Sequence, residues 1–581
     1  MRYDVGRFRR PMRRGAMEQL VSLISLGDGS TLTLDFTTGV LDPRLTFTRG
    51  SNATFINSSG LVQWSASNHA PRTNWNFTSP TGSGWNAATV SGTGTFQWVG
   101  NGTVIAASGA AGQSFTVITT SSGISQGLRY VMSVTALSVT GSPTIQSIFD
   151  FTDASGNTYF KNGAAATSGT TVASGDRISV SAIANSTTMN VRLGCGAWFA
   201  NRTNESVTLT QFHWHPGSAP VAYYENTGTS PRYDSARFDH DPTTTPPTPR
   251  GLLIEGSATN LALRSGDFNN TVTDGTSWSA AGYTAGTLST TLPDGTTGNA
   301  RRISTASGSG SFRSATITVT ASTAYTFSFW ARNNGGSQAR FRVWNVTAGS
   351  SIVDYTQSVN NYVSQIGGAN NTSSTWVRVS VPFTTPAGCT AIYVYPTSSD
   401  SGTVDLLVWG AQVEAGSVSS YIPTVASTAT RNADNCELLD LTTIAFNASA
   451  GTIYTDVGTR LNTGSQRNYT FLPASGGNNQ IFEGSGTALN VYSGGSFVAQ
   501  IGTSAISAQK IAAAYALNDY AVSVAGGAVV TDTSGALPTS LTKLTIGGSI
   551  INASAYANGC IRVFKYWPTR LPNATLQSLT T

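Results

Sequence analysis

Short stretches of alternating apolar and polar residues recur along almost the whole chain of 581 residues. Clear examples are YTFSFWA at residues 325–331, ARFRVWNV at 339–346, TWVRVSVPF at 375–383 and TAIYVYP at 390–396. Each is rich in β-branched and aromatic residues and is bounded by Gly, Ser, Asn or Pro, which is typical of β-strands. Spacings of roughly 8–12 residues favour antiparallel pairing. The pattern predicts an all-β protein with several antiparallel β-sandwich (jelly-roll) domains in tandem, preceded by a short N-terminal arm and helix.

Helical patterns are confined to three short segments. Met17, Leu20, Val21 and Ile24 recur at helical spacing and predict a short amphipathic helix. KIAAAYAL at residues 510–517 has a helical composition, but its flanks favour a strand. NATLQSL at 573–579 predicts a closing helical turn with Asn573 as its N-cap.

One order of residues, namely Trp, Gly-Ser, Tyr, Thr, Arg and Asp, occurs twice. Its members are Trp214, Gly217, Ser218, Tyr224, Thr227, Arg232 and Asp234 in the first occurrence, and Trp409, Gly416, Ser417, Tyr421, Thr424, Arg431 and Asp434 in the second. The triplets TNW at 73–75 and TNL at 259–261 open the two segments. Each segment spans about 160–175 residues, a natural length for one β-sandwich. We interpret the two as copies of one module.

These patterns divide the chain into six predicted segments. They are a basic arm with a short helix (1–33), a segment that carries the motif described below (34–72), a first sandwich (73–234), a Pro-rich linker (235–258), a second sandwich (259–434) and a third (435–581). The linker contains TTTPPTP, whose prolines lack a backbone donor and favour extended geometry. We therefore expect it to be a semi-rigid spacer.

Charge is scarce and concentrated at the N-terminus. Charged residues make up 10% of the chain, against ~25% in ordinary soluble proteins. Residues 1–14 hold six Arg and one Asp, which equals the formal net charge of +5, so the remaining chain is neutral. Such an arm either binds nucleic acid or an acidic protein surface, or it is a solvated, disordered tail. Glu18 and Gln19 interrupt the apolar run behind it, which argues against a signal peptide. No apolar run is long enough to predict a membrane-spanning helix.

The residues that carry catalytic chemistry form no complete motif. None of the four lysines follows a glycine, so no P-loop is expected. His213 and His215 would share one face of a strand and could chelate a metal, but no third ligand is near. We expect them to be a surface pair flanking a core tryptophan. Asp239, Asp241 and Glu255 could imitate a hydrolase pair, but they fall in the linker, where no strand scaffold is expected. We predict no enzyme activity, no metal and no cofactor.

The cysteines and tryptophans are assigned to the interior. Cys195, Cys389, Cys436 and Cys560 lie far apart in the sequence and are expected to be buried and unpaired. Aromatic side chains could also stack on sugars. The strand positions of three tryptophans favour core packing instead, namely Trp330, Trp344 and Trp376. Which aromatic side chains are exposed, and which residues would bind a glycan, is left open by the sequence.

Several segments resemble known families. LDPRLTFTRGSNATFINSSGLVQW at 41–64, SARFDHDP at 235–242 and RGLLIEGSATNLALRSGDF at 250–268 resemble motifs of tailed-bacteriophage virion proteins. WVRVSVPFTTPAGCTAIYVY at 376–395 resembles carbohydrate-binding jelly-roll modules. Gly559, Pro568, Arg570 and Leu571 are similar to the close of concanavalin-A or laminin-G-like sandwiches.

The resemblance implies a structural component of a tailed-phage virion. It would be a homotrimeric tail fibre that binds a tail adaptor, portal or capsid protein through its N-terminus and contacts host surface polysaccharide. The expected anchoring residues are Arg7, Arg9, Arg10, Arg13, Arg14, Leu20 and Ile24. The alternative is a head fibre or capsid decoration protein without a specific receptor. A bacterial secreted lectin is a third hypothesis, which the interrupted apolar run disfavours.

Overall fold

Antiparallel β-sheets dominate the computed structural model and confirm the predicted all-β class. The structure describes residues 28–69, 89–90, 94–99, 103–108, 114–120, 124–195, 204–226, 231–269, 271, 273–305, 309–354, 356–366, 375–399, 402–460, 466–474, 477, 479–484, 486–503, 509–548 and 555–581. The predicted arm, its helix and all seven anchoring residues lie outside this part of the chain, as does the TNW triplet at 73–75.

The chain folds into two units that are not continuous in sequence. The terminal unit contains the described residues up to Phe47 together with Phe238–Gly256 and Asp434–Thr581. The double-sandwich unit contains Thr48–Arg237 and Ser257–Ala433.

The terminal unit is built around two large antiparallel sheets. In spatial order, the strands of one are Phe238–Asp241, Thr248–Ile254, Gly559–Trp567, Ala450–Arg460, Gln509–Ala516, Asp519–Val524 and Val530–Asp532, with Leu32–Asp35 also paired to Gly559–Trp567. The other contains Leu45–Thr48, Asn435–Leu438, Lys543–Ile546, Arg467–Leu472, Gln480–Gly484, Thr487–Ser493 and Ser496–Ile501. Short 3-10 helices occur at Phe36–Thr38 and Leu441–Ile444. Phe471 packs on Phe446, Phe564 and Tyr566 at ring-centroid distances of 5.1 to 6.4 Å in the core of this unit.

A helix at Asn573–Thr580 closes the terminal unit. It buries Leu576 in a cluster with Ala512, Ala514 and Ala521, whose small side chains let a helix approach the sheet. The KIAAAYAL segment is thus part of a strand, as its flanks predicted. The predicted cap is wrong: Asn573 is already helical, and Pro572 stands at the N-cap without a side-chain hydrogen bond.

The Pro-rich segment is a β-hairpin and not a spacer. Phe238–Asp241 pairs with Thr248–Ile254, and the latter continues into a ladder with Gly559–Trp567. Pro246 lies in the turn, and Pro249 pairs at a β-bulge, two places where a missing backbone donor is tolerated. The linker prediction was wrong because proline excludes only an interior ladder position.

The double-sandwich unit contains two pairs of facing sheets. In the first sandwich, one sheet contains Ala164–Ala166, Ala154–Lys161, Arg177–Ala184, Arg129–Thr140, Ser206–Pro216, Thr103–Ala107 and Thr95–Val99, and the other contains Phe149–Phe151, Met189–Cys195, Ser114–Thr120 and Thr89–Val90. In the second, one sheet contains Thr284–Thr291, Thr297–Thr305, Val404–Ala415, Ala324–Asn333 and Val377–Thr384, and the other contains Ile317–Thr318, Ala391–Tyr395, Arg342–Asn345 and Ser350–Val353. A third, smaller sheet of this unit contains Ser279–Ala281, Gly310–Arg313 and Thr397–Ser399. Two further strand pairs are Ala258–Asn260 with Ala429–Arg431, and Thr54–Ile56 with Val62–Trp64, which form the hairpin Thr54–Trp64. The helical elements are the helix Ile145–Ile148 and 3-10 helices at Ser358–Asn360 and Val363–Ile366.

The same strand order occurs in both sandwiches. Counted from the edge strands Thr95–Val99 and Thr284–Thr291, the first four positions across each larger sheet hold the first, second, last and third strands of that sheet in chain order. Each sandwich has its own apolar core between its facing sheets, with Trp214 fully buried in the first and Phe327 and Phe329 in the second.

One buried asparagine occupies the same place in each sandwich. Asn68 Nδ2 donates to the carbonyls of Phe212 and Tyr224, and its Oδ1 accepts from the amide of Trp214. Asn260 Nδ2 donates to the carbonyls of Ala411 and Ile422, and its Oδ1 accepts from the amide of Val413.

These bonds correct the pairing of the two sequence copies. They place Trp214 opposite Val413, whereas the repeated pattern had paired Trp214 with Trp409. His213 and His215 therefore correspond to Gln412 and Glu414. The sequence pattern matched a conspicuous residue type, but the backbone register is set by the asparagine.

We expect Asn260→Ala to destabilise the double-sandwich unit by about 2–4 kcal/mol, because it leaves buried backbone groups without hydrogen bonds. Asn68→Ala should have a similar effect. Calorimetric unfolding of the full chain measures the change. The control is Asn299→Ala, an exposed asparagine in Thr297–Thr305, which should change stability by less than about 0.5 kcal/mol. If Asn260→Ala were as stable as this control, the asparagine would not organise the fold.

Candidate functional site

The second sandwich has two main sheets, and their outer faces differ in whether other residues cover them. On the five-stranded sheet, Trp330 packs against Trp409 and Tyr421 outside the main core, and Val62 of the hairpin Thr54–Trp64 covers this cluster. The four-stranded sheet carries aromatic and arginine side chains on its outer face. That outer face is the candidate site.

The alternation of two paired strands builds the face. Val343, Ile392 and Val394 point into the core and are fully buried. The intervening residues pair across the strands on the opposite side, Arg342 with Tyr395 and Trp344 with Tyr393. Because side chains of directly paired residues share one face, these four form a single surface, which we call the aromatic platform.

Arginines fix the platform rings in place. The guanidinium carbon of Arg342 lies 4.3 Å from the ring centre of Trp344 and 5.4 Å from that of Tyr395. Its Nε and Nη2 donate to Ser351 Oγ at 3.3 and 3.2 Å. Arg313 lies 3.8 Å from the ring centre of Tyr393. Such cation–π contacts hold both the rings and the guanidinium groups in defined positions.

The platform is positively charged and partly open to solvent. Trp344, Tyr393 and Arg342 are half-buried, while Tyr395 is buried. The pKa of Tyr393 is lowered by its hydrogen bond with Thr316 and by the nearby Arg313, and burial raises the pKa of Tyr395. The four strands of the sheet contain no Asp or Glu. The face can stack on a ligand and donate hydrogen bonds to it, but it offers no acid–base pair.

The three tryptophans assigned to the core have different environments. Trp330 is buried, as predicted, whereas Trp344 and Trp376 are half-buried, so the core assignment is wrong for these two. Trp376 lies away from the platform, where its Nε1 donates to the carbonyl of Thr291 at 2.9 Å. Both residues occupy strand patterns, but the sequence does not tell which face of a strand is covered.

The first sandwich lacks a platform at the equivalent place. There, Phe149–Phe151 pairs with Met189–Cys195, and Asp150 stands opposite Arg192. Asp150 is 1% exposed, and its carboxylate accepts hydrogen bonds from Gln146, Asn157 and Tyr159. Burial raises the pKa of Asp150 despite these donors. This carboxylate is a structural group of the sheet.

His213 and His215 share one side of their strand, as predicted, but they are buried and not on the surface. Their rings lie 4.7 Å apart, and Trp214 between them points into the core. His213 Nε2 lies 2.9 Å from the carbonyl oxygen of Ser67, and His215 Nδ1 lies 2.9 Å from that of Pro216. Burial lowers the pKa of His213 to about 3 and that of His215 to about 4. Within the described residues no cluster of three metal-ligating side chains occurs.

Two of the three carboxylates of the Pro-rich segment, Asp239 and Asp241, lie on the strand Phe238–Asp241, contrary to the expectation that no scaffold surrounds them, and Glu255 directly follows Thr248–Ile254. Asp239 and Asp241 both face Arg250, at 3.7 and 3.2 Å. Although burial opposes it, the pKa of Asp241 is lowered by Thr243 and Arg250. A general acid needs a raised pKa, so this carboxylate does not fit that role. Glu255 is 1% exposed, and its amide donates to Asp434 Oδ2.

All four cysteines are buried free thiols, as predicted. Among the residues that the structure describes, no helix is long and apolar enough to cross a membrane.

One segment of the chain matches a known protein family. Residues 260–402 match the family described as carbohydrate binding domain, and this range contains every platform residue. The second sandwich is thus a domain of carbohydrate-binding-module type. A search of curated proteins found no match.

Solved structures with similarity include carbohydrate-binding modules. The tandem CBM22-1–CBM22-2 domain of Paenibacillus barcinonensis Xyn10C is 12% identical, with a TM-score of 0.22, and the match covers 60% of this chain and 98% of that one. The C-terminal family 22 module of Clostridium thermocellum Xyn10B is 15% identical, with a TM-score of 0.18, over 27% of this chain and 94% of that one. Neither the virion nor the concanavalin-like resemblance receives support from these comparisons.

Acid should destabilise the first sandwich through the histidine pair. In the unfolded chain a histidine becomes protonated near pH 6.5. In the folded chain burial lowers the pKa, so that His215 stays neutral down to about pH 4 and His213 down to about pH 3. Their contribution is therefore complete above about pH 6.5 and is lost as the pH falls toward 4. His213→Gln, which copies Gln412, should reduce the stability lost between pH 7 and 4.5 by about 2 kcal/mol.

Thermal unfolding at the two pH values measures this difference. The control is Leu137→Ala, an exposed position on the neighbouring strand Arg129–Thr140. An unchanged pH dependence in His213→Gln would contradict the assignment.

Proposed function

We propose that this protein is a non-catalytic glycan-binding protein and that the aromatic platform of its second sandwich is the binding surface. The observation that carries the proposal is the set of half-buried side chains Trp344, Tyr393 and Arg342 on one sheet face, inside the segment that matches a carbohydrate binding domain. Aromatic rings suit the apolar faces of sugars, and guanidinium groups donate several hydrogen bonds in a fixed geometry. The absence of acid–base chemistry on the face supports binding without cleavage.

The charge of the platform favours acidic glycans over neutral ones of equal length. Arg342 and Arg313 are part of the face, and its four strands carry no carboxylate that would repel a uronate. Arginine pairs well with carboxylate groups. Binding of an acidic glycan should therefore weaken with added salt.

Trp344→Ala should reduce the affinity for hexagalacturonate by about 2 kcal/mol, roughly thirty-fold, because it removes a central ring from the contact. Titration calorimetry of the full chain measures the change. The matched control is Trp376→Ala, a half-buried tryptophan of the same sandwich outside the platform, which should retain binding. Arg342→Gln should reduce the preference for hexagalacturonate over a neutral hexasaccharide. Equal binding by both tryptophan variants would contradict the proposal.

The biological setting proposed here is a tailed-phage particle. In this proposal the chain is a trimeric tail fibre attached through its N-terminal arm, with the terminal unit as a concanavalin-like sandwich, and the sandwiches contact host surface polysaccharide. Three chains in one fibre would raise the avidity of weak single sites. The support is the resemblance at residues 41–64 and 235–268. Light scattering of the full chain should give three times the mass of 60.5 kDa.

Deleting residues 1–26 should leave the sandwiches folded and abolish incorporation into particles, because the net charge of the chain lies in the arm. Immunoblotting of purified particles measures incorporation, and circular dichroism verifies folding. A variant with Arg7, Arg9 and Arg10 replaced by Gln separates charge from length. Normal incorporation of the deletion variant would contradict attachment through the arm. Antibody label spread over the capsid would favour a head fibre or decoration protein.

A further inference from the structure

A cleft of about 930 Å³ lies between the two sandwiches of the double-sandwich unit. Both sandwiches and the hairpin Thr54–Trp64 line it, and we call it the intersandwich cleft. Its volume is within the ~300–1,000 Å³ that is usual for small-molecule sites. The lining residues used below are Trp64, Arg129, His215, Asp267, Asp294 and Tyr421.

Aromatic rings supply one wall of the cleft. Tyr421 packs on Trp409 with ring centres 4.8 Å apart, and its hydroxyl is 2.8 Å from Ser265 Oγ. Trp64 is half-buried at the hairpin and leaves part of its ring exposed. The part of the wall that the second sandwich supplies is thus apolar, and packing holds its rings in place.

A buried histidine of the first sandwich also lines the cleft. His215 is 4% exposed, and its Nδ1 lies 2.9 Å from the carbonyl oxygen of Pro216. A carbonyl can only accept, so Nδ1 carries the proton. Burial lowers the pKa of His215 to about 4, so the ring is neutral at pH 7 and Nε2 is an acceptor. Among the described residues, Nε2 has no hydrogen-bond partner.

The charged groups of the cleft also favour a donor-rich ligand. Asp267 and Asp294 accept hydrogen bonds from nearby backbone amides, and the described residues provide no ion pair for either. Arg129 is already engaged by Gly156 and Ser181. Unpaired carboxylates and a neutral histidine acceptor disfavour a negatively charged ligand. A suitable occupant has hydroxyl donors, apolar faces and no negative charge.

We propose that the intersandwich cleft is a second binding site and that it takes a neutral oligosaccharide. Sugar hydroxyls would donate to His215 Nε2 and to the carboxylates, while ring faces pack on Trp64. The choice of a sugar rests on the proposed glycan-binding function, whereas the position of the site does not depend on the aromatic platform. The two sites differ in charge, with acidic glycans favoured on the platform and neutral ones in the cleft.

The test is titration calorimetry of the full chain with xylohexaose and with cellohexaose. Val221 lines the cleft and is 44% exposed, so Val221→Trp fills the site without disturbing a core. The matched control is Leu137→Trp, at a position that is 54% exposed and does not line the cleft. At least one hexasaccharide should bind to wild type and to the control, and Val221→Trp should lose ten-fold or more in affinity.

Two further variants separate the cleft from the platform. His215→Phe keeps a ring but removes the acceptor, and it should weaken neutral binding about ten-fold. Trp344→Ala should leave neutral binding in the cleft unchanged while reducing hexagalacturonate binding.

The combined results distinguish failure of one site from failure of the other. If Trp344→Ala abolished neutral binding and Val221→Trp did not, the cleft site would be contradicted and the platform would be supported. Loss of neutral binding in Val221→Trp, with hexagalacturonate binding intact in Trp344→Ala, would support the cleft site and contradict the platform. Absence of binding by both neutral hexasaccharides overturns the cleft site.

Discussion

In each sandwich of the double-sandwich unit, one buried carboxamide satisfies backbone groups that no strand partner reaches. Asn68 and Asn260 each bridge a long strand and the segment that follows it, donating to one carbonyl of each and accepting from an amide of the long strand. Asn260 Oδ1 also accepts from the amide of Ala262. A buried backbone group without a partner costs about as much as a lost hydrogen bond. Removing the carboxamide would therefore leave these backbone groups unpaired and detach the segment that follows the long strand. That segment includes Tyr421, a ring of both the buried cluster and the intersandwich cleft.

The two sandwiches share topology but differ in what their surfaces can do. At equivalent outer positions the first has Asp150 paired across from Arg192, and the second has Trp344 paired across from Tyr393. A carboxylate that accepts hydrogen bonds from several side chains serves to stabilise the sheet, whereas a half-buried ring leaves part of its surface accessible to a ligand. The same fold thus accommodates a structural face in one sandwich and the proposed binding face in the other, since sheet geometry constrains only the inward residues.

One outer face of the second sandwich is covered, and the proposed binding surface lies on the other. Trp330 and Trp409 of the five-stranded sheet are buried in a cluster with Val62 of the hairpin Thr54–Trp64, so their buried area contributes to stability. On the opposite sheet, arginine stacking replaces a covering segment and keeps the rings ordered. An ordered ring loses little entropy when it binds, which makes such a surface suitable for weak, repeated sugar contacts.

Strand alternation determined the all-β class, because strand periodicity is local. A repeated order of residues predicted the duplication, although it paired Trp214 with Trp409, and the wide spacing of the cysteines predicted that they are buried and unpaired. The sequence also located the segment at 376–395 that resembles a carbohydrate-binding module. It could not tell buried Trp330 from half-buried Trp344, because both lie in the same kind of strand and only the packed hairpin distinguishes them. The sequence also did not predict the hairpin formed by Phe238–Asp241 and Thr248–Ile254, because its prolines lie in the turn and at a β-bulge. Which face is covered, and which register the copies share, depends on contacts between residues far apart in the chain, and only the tertiary structure decides them.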